Sequence, residues 1–233
     1  MEGKVMNTVT FGNKNSYTDF SLILKERTIS FPQAKTMTVD VVGMNGVLDL
    51  TETLGTVKYN RRSITMTFTL VDRTKFLSTL TDFANYIHGQ NMEVTFSDDD
   101  NFYYKGRCSL NSFQTGEATG EIVVNMDAYP YKLERNLYEN WLWDDFDFEN
   151  GIIVDRNFTI SGSETITLIN RRMESVPSFR ANSAMTLGFG GHTFELPANK
   201  TKKFYDIVLT EGDNTLTVTG TGTLTIDYEL GDL

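Results

Sequence analysis

The sequence has very few of the residues that would cross-link it or catalyse a reaction. Its 233 residues include one cysteine, Cys108, so an intrachain disulfide is impossible. It has only two histidines, His88 and His192, although histidine is the commonest general base in enzymes. Walker, GxSxG, HExxH and CxxC motifs are all absent. We therefore expect no catalytic residue, no cofactor and no metal, and we interpret Cys108 as a buried small hydrophobe.

Positive charge and long apolar runs are scarce as well. The net charge is −10, and no run of lysine and arginine is longer than two, which argues against binding to nucleic-acid phosphates. No apolar run approaches the roughly 20 residues of a membrane span. The amino terminus lacks the apolar segment of a signal peptide, so we expect synthesis in a reducing compartment and no membrane association.

Strand patterns dominate what is present. Isoleucine, methionine, phenylalanine and leucine alternate with threonine from Ser63 to Leu70, which predicts a strand with one apolar face. Similar patterns predict strands at Met92–Phe96, Phe102–Leu110 and Glu121–Met126. The stretch Met37–Leu50, MTVDVVGMNGVLDL, begins with the alternation of a half-buried strand and is then interrupted by Gly43 and Gly46. We interpret this interruption as a turn or bulge, because no helix start or Lys-Ser/Thr pair follows it.

One helix is predicted, from residue 73 to residue 88. Phe76, Leu80, Phe83 and Ile87 recur at helical spacing and form a single apolar stripe. Asp72 could cap its start, and Gly89 could adopt the left-handed conformation after its end. We expect the helix to pack on the sheet formed by the neighbouring strands.

The character of the chain changes after residue 132. Residues 1–132 carry 13 basic and 15 acidic side chains, whereas residues 133–233 carry 8 and 16. Short strands separated by turns such as EGDN and GTG predict a β-sandwich. The predicted strands are Ile152–Ile160, Glu164–Ile169, Phe179–Leu187, His192–Leu196, Phe204–Leu209, Thr215–Thr219 and Thr223–Leu230. We therefore predict a β-rich domain over residues 1–134 and a β-sandwich domain over residues 135–233.

Two features of residues 136–151 suggest binding sites. The stretch DDFDFENG, Asp144–Gly151, resembles a calcium loop. When positions are counted from Asp145, however, the glycine stands at position 7, and Arg156 occupies the position of the bidentate glutamate. We interpret it as a solvated edge strand or linker. Trp141 and Trp143 are candidate glycan contacts, although packing between domains is the competing interpretation.

Four motifs in the first 132 residues carry a resemblance to a known family. They are Gly-Met-Asn-Gly-Val-Leu-Asp, Tyr-Asn-Arg-Arg-Ser-Ile, Ser-Asp-Asp followed by Tyr-Tyr-Lys-Gly, and Tyr-Pro-Tyr-Lys. Their order and spacing resemble the distal tail proteins of long non-contractile-tailed bacteriophages. The matching positions are Gly43, Asn45, Gly46, Leu48, Asp49, Tyr59, Arg61, Arg62, Tyr103, Tyr104, Lys105, Gly106, Pro130 and Tyr131.

The resemblance implies a structural role rather than an enzymatic one. Members of the family form a hexameric ring through the amino-terminal domain, and the ring joins the tail tube to the tip or baseplate while DNA passes through without specific binding. The carboxy-terminal domain is implied to be a galectin-like β-sandwich. Implied partners are other copies of the chain, the major tail tube protein, a tail-tip or lysin-type protein, the tape measure protein and receptor-binding proteins. The implied location is the virion tail tip, after synthesis in the host bacterial cytoplasm.

A second function remains open from the sequence. The carboxy-terminal β-sandwich could be a carbohydrate-binding module that recognises host cell-wall glycan through Trp141 or Trp143. Hydrolysis of a cell-wall polymer is a third hypothesis, which no particular carboxylate pair supports.

Overall fold

The structure is a computed structural model that describes residues 7–53, 55–70, 73–115, 120–135 and 156–233. Its contacts divide the chain into two units, the first ending at Lys132 and the second running from Leu133 to Asp232. Strands predominate in both, and the described part contains one α-helix. The prediction of a mainly β chain with one helix is confirmed. None of the described helical residues form a helix long and apolar enough to cross a membrane.

The first unit is built on an antiparallel sheet. Seven strands follow one another in the order β2-β1-β7-β8-β9-β6-β3, while β4 and β5 pair only with each other. The strands of this unit are β1 Val9–Phe11, β2 Lys14–Asn15, β3 Leu22–Ile29, β4 Thr38–Val39, β5 Leu48–Asp49, β6 Arg62–Leu70, β7 Asn91–Phe96, β8 Phe102–Thr115 and β9 Gly120–Ala128.

Alternation along β6 decides which face of this sheet is buried. Ile64, Met66 and Phe68 have no exposed surface, and the threonines between them are half-buried on the opposite face. Strands β3 and β9 flank β6, so its backbone groups are paired on both sides. The strand predicted from Ser63 to Leu70 is therefore confirmed, with Arg62 as an additional first residue.

The helix α1 runs from Phe76 to Ile87 and covers the buried face of the sheet. The Phe83 ring is fully buried, and its centroid lies 5.5 Å from that of Phe11, 5.0 Å from that of Phe20 and 5.9 Å from that of Phe68. Edge-to-face aromatic pairs of this kind contribute about 0.5–1.5 kcal/mol each beyond area burial. The predicted apolar stripe thus forms the helix–sheet contact.

The two ends of the helix differ from each other. A 3₁₀ turn, Arg73–Lys75, precedes α1, and the observed N-cap is Lys75, whose side chain makes no capping hydrogen bond. The predicted cap, Asp72, lies outside the described residues. At the other end, Gly89 has a φ of +77°, as the prediction of a left-handed residue requires. His88 Nδ1 accepts a hydrogen bond from the Leu110 N–H at 3.1 Å, which supports its structural interpretation.

The second unit contains a six-stranded antiparallel sheet, formed by β11 to β16, and the short strands β10 and β17 outside it. Its path is β14-β13-β16-β12-β15, and β11 pairs with β16 along its whole length. Strand β17 pairs with β10, which contains the division between the units. The strands are β10 Lys132–Glu134, β11 Asn157–Asn170, β12 Ser178–Ala181, β13 Met185–Phe189, β14 His192–Leu196, β15 Thr201–Lys203, β16 Gly212–Asp227 and β17 Gly231–Asp232.

The two halves of β16 pair with different strands. The first half pairs with β13 and the second half pairs with β12. Between the halves, Gly220 and Gly222 have φ values of +154° and +140°, which favour glycine. The prediction that GTG forms a turn between two strands is wrong. Strand β16 continues through the glycines, and β11 pairs with it without interruption across them. The galectin-like character of the unit stays a prediction.

Two further strand boundaries differ from the predictions. The predicted strand Phe179–Leu187 is interrupted, so that β12 and β13 pair with different halves of β16. The predicted strand Phe204–Leu209 contains only an isolated bridge between Leu209 and Ser175. The apolar residues of this segment predict a strand, because a short buried run has no periodicity that distinguishes a strand from another buried segment.

A half-buried ion-pair cluster ties the ends of the second unit together. Arg171 Nε lies 2.8 Å from Glu134 Oε2, and Arg171 Nη1 lies 2.8 Å from Asp232 Oδ2. Burial by itself lowers the pKa of Arg171, but hydrogen bonds and charge from the two carboxylates outweigh burial and raise it. The cluster therefore holds β10 and β17 against the end of β11.

Gly106 allows the backbones of β8 and β9 to approach closely. A Cβ at this position would lie 2.3 Å from the Asp127 carbonyl oxygen and 2.6 Å from Ala128 Cα. Both obstacles are backbone atoms, so no side chain can rotate away. The sheet must open locally to accept any residue larger than glycine.

We predict that Gly106→Ala lowers the free energy of unfolding of the first unit by about 1–3 kcal/mol, because the added methyl group overlaps the backbone of β9. Urea denaturation measures the change. The matched control is Gly188→Ala, whose Cβ would make an ordinary 3.5 Å contact with Thr217 Cβ. Equal effects of the two substitutions would contradict the close-approach argument.

We also predict that Cys108 does not react with a thiol reagent in the native protein. Cys108 is fully buried, and this burial raises the pKa of its thiol to about 12, so almost no thiolate exists at pH 8. The reaction with dithiobis-nitrobenzoate should begin only on denaturation. A Cys108→Ser/Ser109→Cys variant moves the thiol to the half-buried neighbour and should react without denaturant. Rapid labelling of native Cys108 would refute the prediction.

Candidate assembly surface

A long connection between β3 and β6 extends from the first unit, and we call it the arm. We define the arm as residues 35–58. At its base, Ala34 and Tyr59 form an isolated antiparallel bridge. The Lys35 N–H donates to the Lys58 carbonyl at 2.7 Å, which holds the two ends of the arm together. The arm is therefore a closed loop with a paired stem.

Backbone and side-chain hydrogen bonds order the middle of the arm. Strands β4 and β5 pair through Thr38 with Asp49 and through Val39 with Leu48. The Thr51 N–H donates to Asp49 Oδ1 at 2.9 Å. Hydrogen bonds from the Thr51 side chain and backbone lower the pKa of Asp49, because they favour its charged form. Asp49 of the family-like motif thus stabilises a turn in the arm.

The far end of the arm turns at glycine. Gly43 has a φ of +85° and Gly46 a φ of +80°, and a side chain at either would meet no atom within 4 Å. The Met44 N–H donates to the Val41 carbonyl at 3.0 Å. Gly43 and Gly46 are therefore needed for backbone conformation and not for close packing. The interpretation of this stretch as a turn agrees with the structure.

The apolar residues of the arm are exposed. Val42 is fully exposed and Met37 is 56% exposed, whereas the sequence predicted a half-buried strand here. That prediction is wrong for the described residues: only Thr38–Val39 forms a strand here, and both of its residues are exposed. The exposed apolar residues of the arm are Met37, Val39, Val41, Val42, Met44, Val47 and Leu48. Exposed apolar residues concentrated in one short segment are typical of an interaction surface.

The remaining motif residues meet beside the stem of the arm. The Tyr59 ring packs edge-on against the Tyr131 ring, with centroids 6.0 Å apart. Arg61 Nε lies 2.7 Å from Asp127 Oδ2, and Arg61 Nη2 donates to the Asp127 carbonyl at 2.7 Å. The last residues of β9 and the segment after it are thereby joined to the residues that follow the arm. The motif that follows the arm and the motif at the end of the unit therefore form one cluster.

Arg62 is the unusual member of this cluster. Its side chain is on the buried face of β6, and the residue is 3% exposed. The guanidinium carbon lies 5.6 Å from the centroid of the Tyr104 ring. Nε and Nη2 are buried and have no hydrogen-bond partner among the residues that the structure describes, and burial lowers the pKa of Arg62 despite the opposing effect of Tyr104. Tyr104 therefore compensates only part of the cost of burying this cation.

Other motif positions support the strand pairing. The Lys105 carbonyl accepts a hydrogen bond from the Tyr129 N–H at 2.8 Å, and Tyr103 precedes the buried Tyr104 on β8. Pro130 is buried next to Tyr131. Asn45 and Leu48 lie in the arm and are exposed, away from this cluster. The structure therefore separates the motif positions into an arm group and a stem group.

Several candidate binding residues lie outside the described part of the chain. They are Trp141, Trp143 and the calcium-loop-like stretch from Asp144 to Gly151. The glycan-binding hypothesis that rests on the two tryptophans stays a prediction. Elsewhere, the described residues contain no group of three or more histidine, cysteine, aspartate or glutamate side chains that could hold a metal ion.

The similarity of this chain to known proteins is a similarity of fold. No protein-family profile and no curated protein sequence matches the chain. Among solved structures, the crystal structure of SPP1 Dit (gp 19.1) matches with a TM-score of 0.63 over 97% of this chain and 99% of that chain, at 12% identity. This chain has a Dit-like fold. SPP1 Dit is described as a paradigm of the hub adsorption apparatus in Gram-positive infecting phages.

The exposure of the arm on this Dit-like fold is what sequence reasoning missed. The adjacent valines Val41 and Val42 break the period-2 pattern, because neighbouring residues of a strand point to opposite faces. That break could have indicated a segment without a single buried face. The burial of Arg62 had no comparable signal, since arginine is normally exposed.

We predict that Arg62→Met leaves the free energy of unfolding unchanged or raises it by about 1 kcal/mol, because the substitution removes a buried cation with unpaired nitrogens. Urea denaturation measures the effect. Arg61→Met is the control, and it should change stability by less than about 1 kcal/mol, because its ion pair with Asp127 is exposed. A loss above about 2 kcal/mol in Arg62→Met would show that the cation is stabilising.

Proposed function

We propose that this protein is a structural component of a bacteriophage tail and that it forms a ring-shaped hub between the tail tube and the tip or baseplate. The Dit-like fold supports this proposal, since SPP1 Dit is described as a hub of the adsorption apparatus. The four sequence motifs support it further, since one of them forms the turn and pairing of the arm and the other three lie beside its stem. The observation that carries the proposal is the exposed apolar arm.

The arm has the chemistry of a surface that becomes covered on assembly. Seven apolar side chains between Met37 and Leu48 are at least 39% exposed, although water disfavours such surface by about 25 cal/mol per Å². The two-stranded pairing and the Thr51–Asp49 turn keep the arm ordered, which reduces the entropy lost on binding. Such a preformed apolar segment is suited to pack on a neighbouring subunit.

An arm of this kind suits a closed ring. When the arm of each copy contacts a different surface of the next copy without reciprocal exchange, the interface is heterologous. Heterologous contacts repeat around an axis and close when the rotation between copies divides a full turn. We therefore propose a homo-oligomeric ring, with six copies as the family resemblance implies.

The charge of the chain is compatible with a DNA passage. The net charge is −10, and residues 1–132 carry 13 basic and 15 acidic side chains. An acidic or neutral wall would not retain the phosphates of passing DNA, whereas a lysine-rich wall would bind them and release counterions. DNA would thus pass through the ring without specific binding.

The proposed role also defines partners and location. The protein would lie at the virion tail tip and contact the major tail tube protein on one side and a tail-tip or lysin-type protein on the other. Tape measure and receptor-binding proteins are further proposed partners. The proposed role is structural and requires no enzymatic activity of this chain.

The proposal predicts that the arm determines the oligomeric state. Wild-type protein, alone or co-expressed with its tail tube and tip partners, should form hexameric rings in mass photometry and negative-stain images. Val42→Asp should weaken ring formation about tenfold or more, because it places a charge in the covered apolar contact. It should not change the free energy of unfolding, since Val42 is fully exposed in the single chain.

Ile169→Asp is the matched control, because Ile169 is an exposed apolar residue of the second unit. It introduces the same charge and should leave the ring intact. A wild-type chain that stays monomeric at every concentration and beside its tail partners would refute the proposed function. Equal loss of rings in both variants would refute the assignment to the arm.

A further inference from the structure

The cations of the second unit divide into a paired and an unpaired group. Each arginine of the paired group has a carboxylate within 4 Å or another interaction partner in the described structure. Four basic side chains form no ion pair and donate no side-chain hydrogen bond to any described residue. These four, which we call the basic edge, are Arg180, Lys200, Lys202 and Lys203.

The basic edge occupies one continuous place in the fold. Arg180 is on β12, Lys202 and Lys203 are on β15, and Lys200 immediately precedes β15. All four side chains are exposed. They include every lysine of the second unit, so the unit has no lysine away from this edge. Random scatter over a surface would not concentrate all the unpaired positive charge on two adjacent strands.

The register between β12 and β15 places these charges on both faces of the sheet. Arg180 is opposite Thr201 and Ser178 is opposite Lys203, so Arg180 and Lys203 are diagonal neighbours on one face. Lys202 is opposite Phe179 and points toward the other face. Strand β15 is the last strand of the sheet path, and its outer side has no strand partner in the described structure. A segment lying along this side would have cations above and below it.

Aromatic side chains adjoin the basic edge. Phe204 directly follows β15, and its ring centroid lies 5.2 Å from that of Phe194 and 6.0 Å from that of Phe179. Tyr205, the next residue, is 79% exposed. An apolar ring beside lysines gives a contact for a side chain as well as for a charge.

Lysines on an edge strand have a simpler role, which is to discourage unwanted pairing between sheets. That role accounts for Lys202 and Lys203. It does not account for Arg180, which lies on the interior strand β12, or for the exposed Tyr205 next to the lysines. The combination of open backbone, unpaired cations and an aromatic ring instead matches strand addition by a charged peptide.

We propose that the basic edge is a docking surface for an acidic, extended segment of a partner protein, which pairs with β15 as an additional strand. Main-chain hydrogen bonds along β15 would align the segment. Its carboxylates would face Arg180 and Lys203 on one side and Lys202 on the other, and an apolar side chain would contact Tyr205. A phosphate-rich polymer would use the charge but neither the strand edge nor the ring, so the structure favours a peptide.

The test uses the full chain and a fluorescein-labelled decapeptide in which pairs of glutamates alternate with pairs of threonines, so that an added strand presents carboxylates on both faces. Fluorescence anisotropy measures its binding. The salt concentration is about 50 mM, because salt at this concentration only weakly screens the attraction between exposed charges. We expect Lys202→Glu/Lys203→Glu to weaken binding about tenfold or more, since attraction becomes repulsion. Lys14→Glu/Lys75→Glu makes the same charge change at two exposed lysines of the first unit and should leave binding unchanged.

Hydrogen exchange gives an independent measure of strand addition. The amides of β15 should gain protection in the peptide complex, whereas those of the opposite edge strand β14 should not. A peptide of alternating lysine and threonine and an inorganic polyphosphate serve as comparison ligands. Charge reversal keeps the protein charged, so loss of binding will not reflect loss of solubility.

The outcomes separate the possible partners. Selective loss in the Lys202/Lys203 variant together with protection of β15 would confirm the proposal. No binding of the acidic peptide, equal loss in both double variants or equal binding of the lysine peptide would overturn it. Binding of polyphosphate in place of the peptide would overturn it in favour of a polyanion site. The ring is measured through Val42, so failure here leaves the proposed hub function untouched.

Discussion

The packing of Phe83 between the helix and the sheet is the contact on which the first unit depends. Its ring meets three other phenylalanines from β1, β6 and the loop before β3, so one side chain joins segments far apart in sequence. Burying a phenylalanine contributes about 1.5–3 kcal/mol, and the aromatic geometry adds to that. Because this core is complete without the arm, the unit can leave seven apolar residues of the arm in water and still be folded.

The stem of the arm links that core to the proposed assembly contact. Tyr59 follows the arm and packs on Tyr131, while Arg61 is fixed by two contacts with Asp127. The close approach at Gly106 brings β8 against the same end of β9. The role of these residues is to set the place from which the arm leaves the sheet, and that place determines which part of a neighbouring copy the arm can reach.

Electrostatics distinguishes the two ends of the second unit. Arg171 pairs with both Glu134 and Asp232, and this half-buried cluster joins β10 and β17 to the end of β11. At the edge strand β15, the cations have no such partners among the described residues. In a chain with a net charge of −10, unpaired cations concentrated on two adjacent strands are the exception. The charge of Arg171 is neutralised within the chain, whereas the charges of the basic edge remain available to an acidic partner.

The sequence by itself determined the elements whose pattern has a clear period. Strand β6 and the apolar stripe of α1 follow directly from alternation and helical spacing, because burial on one face requires them. The turn glycines Gly43 and Gly46 were also predictable, since few other residues adopt their positive φ. The sequence could not determine whether the apolar residues around them were buried, because the same alternation serves a core strand and an arm covered by another molecule.

Only the tertiary structure decided the contacts made between distant segments. It showed that β16 continues through GTG instead of ending there, because the long partner β11 pairs across the glycines. It buried Arg62 beside Tyr104 and placed Arg180 next to lysines twenty residues later in the chain. Local pattern constrains which face of an element is apolar. Long-range strand pairing decides which elements that face meets, and therefore which charges and apolar surfaces remain for a partner.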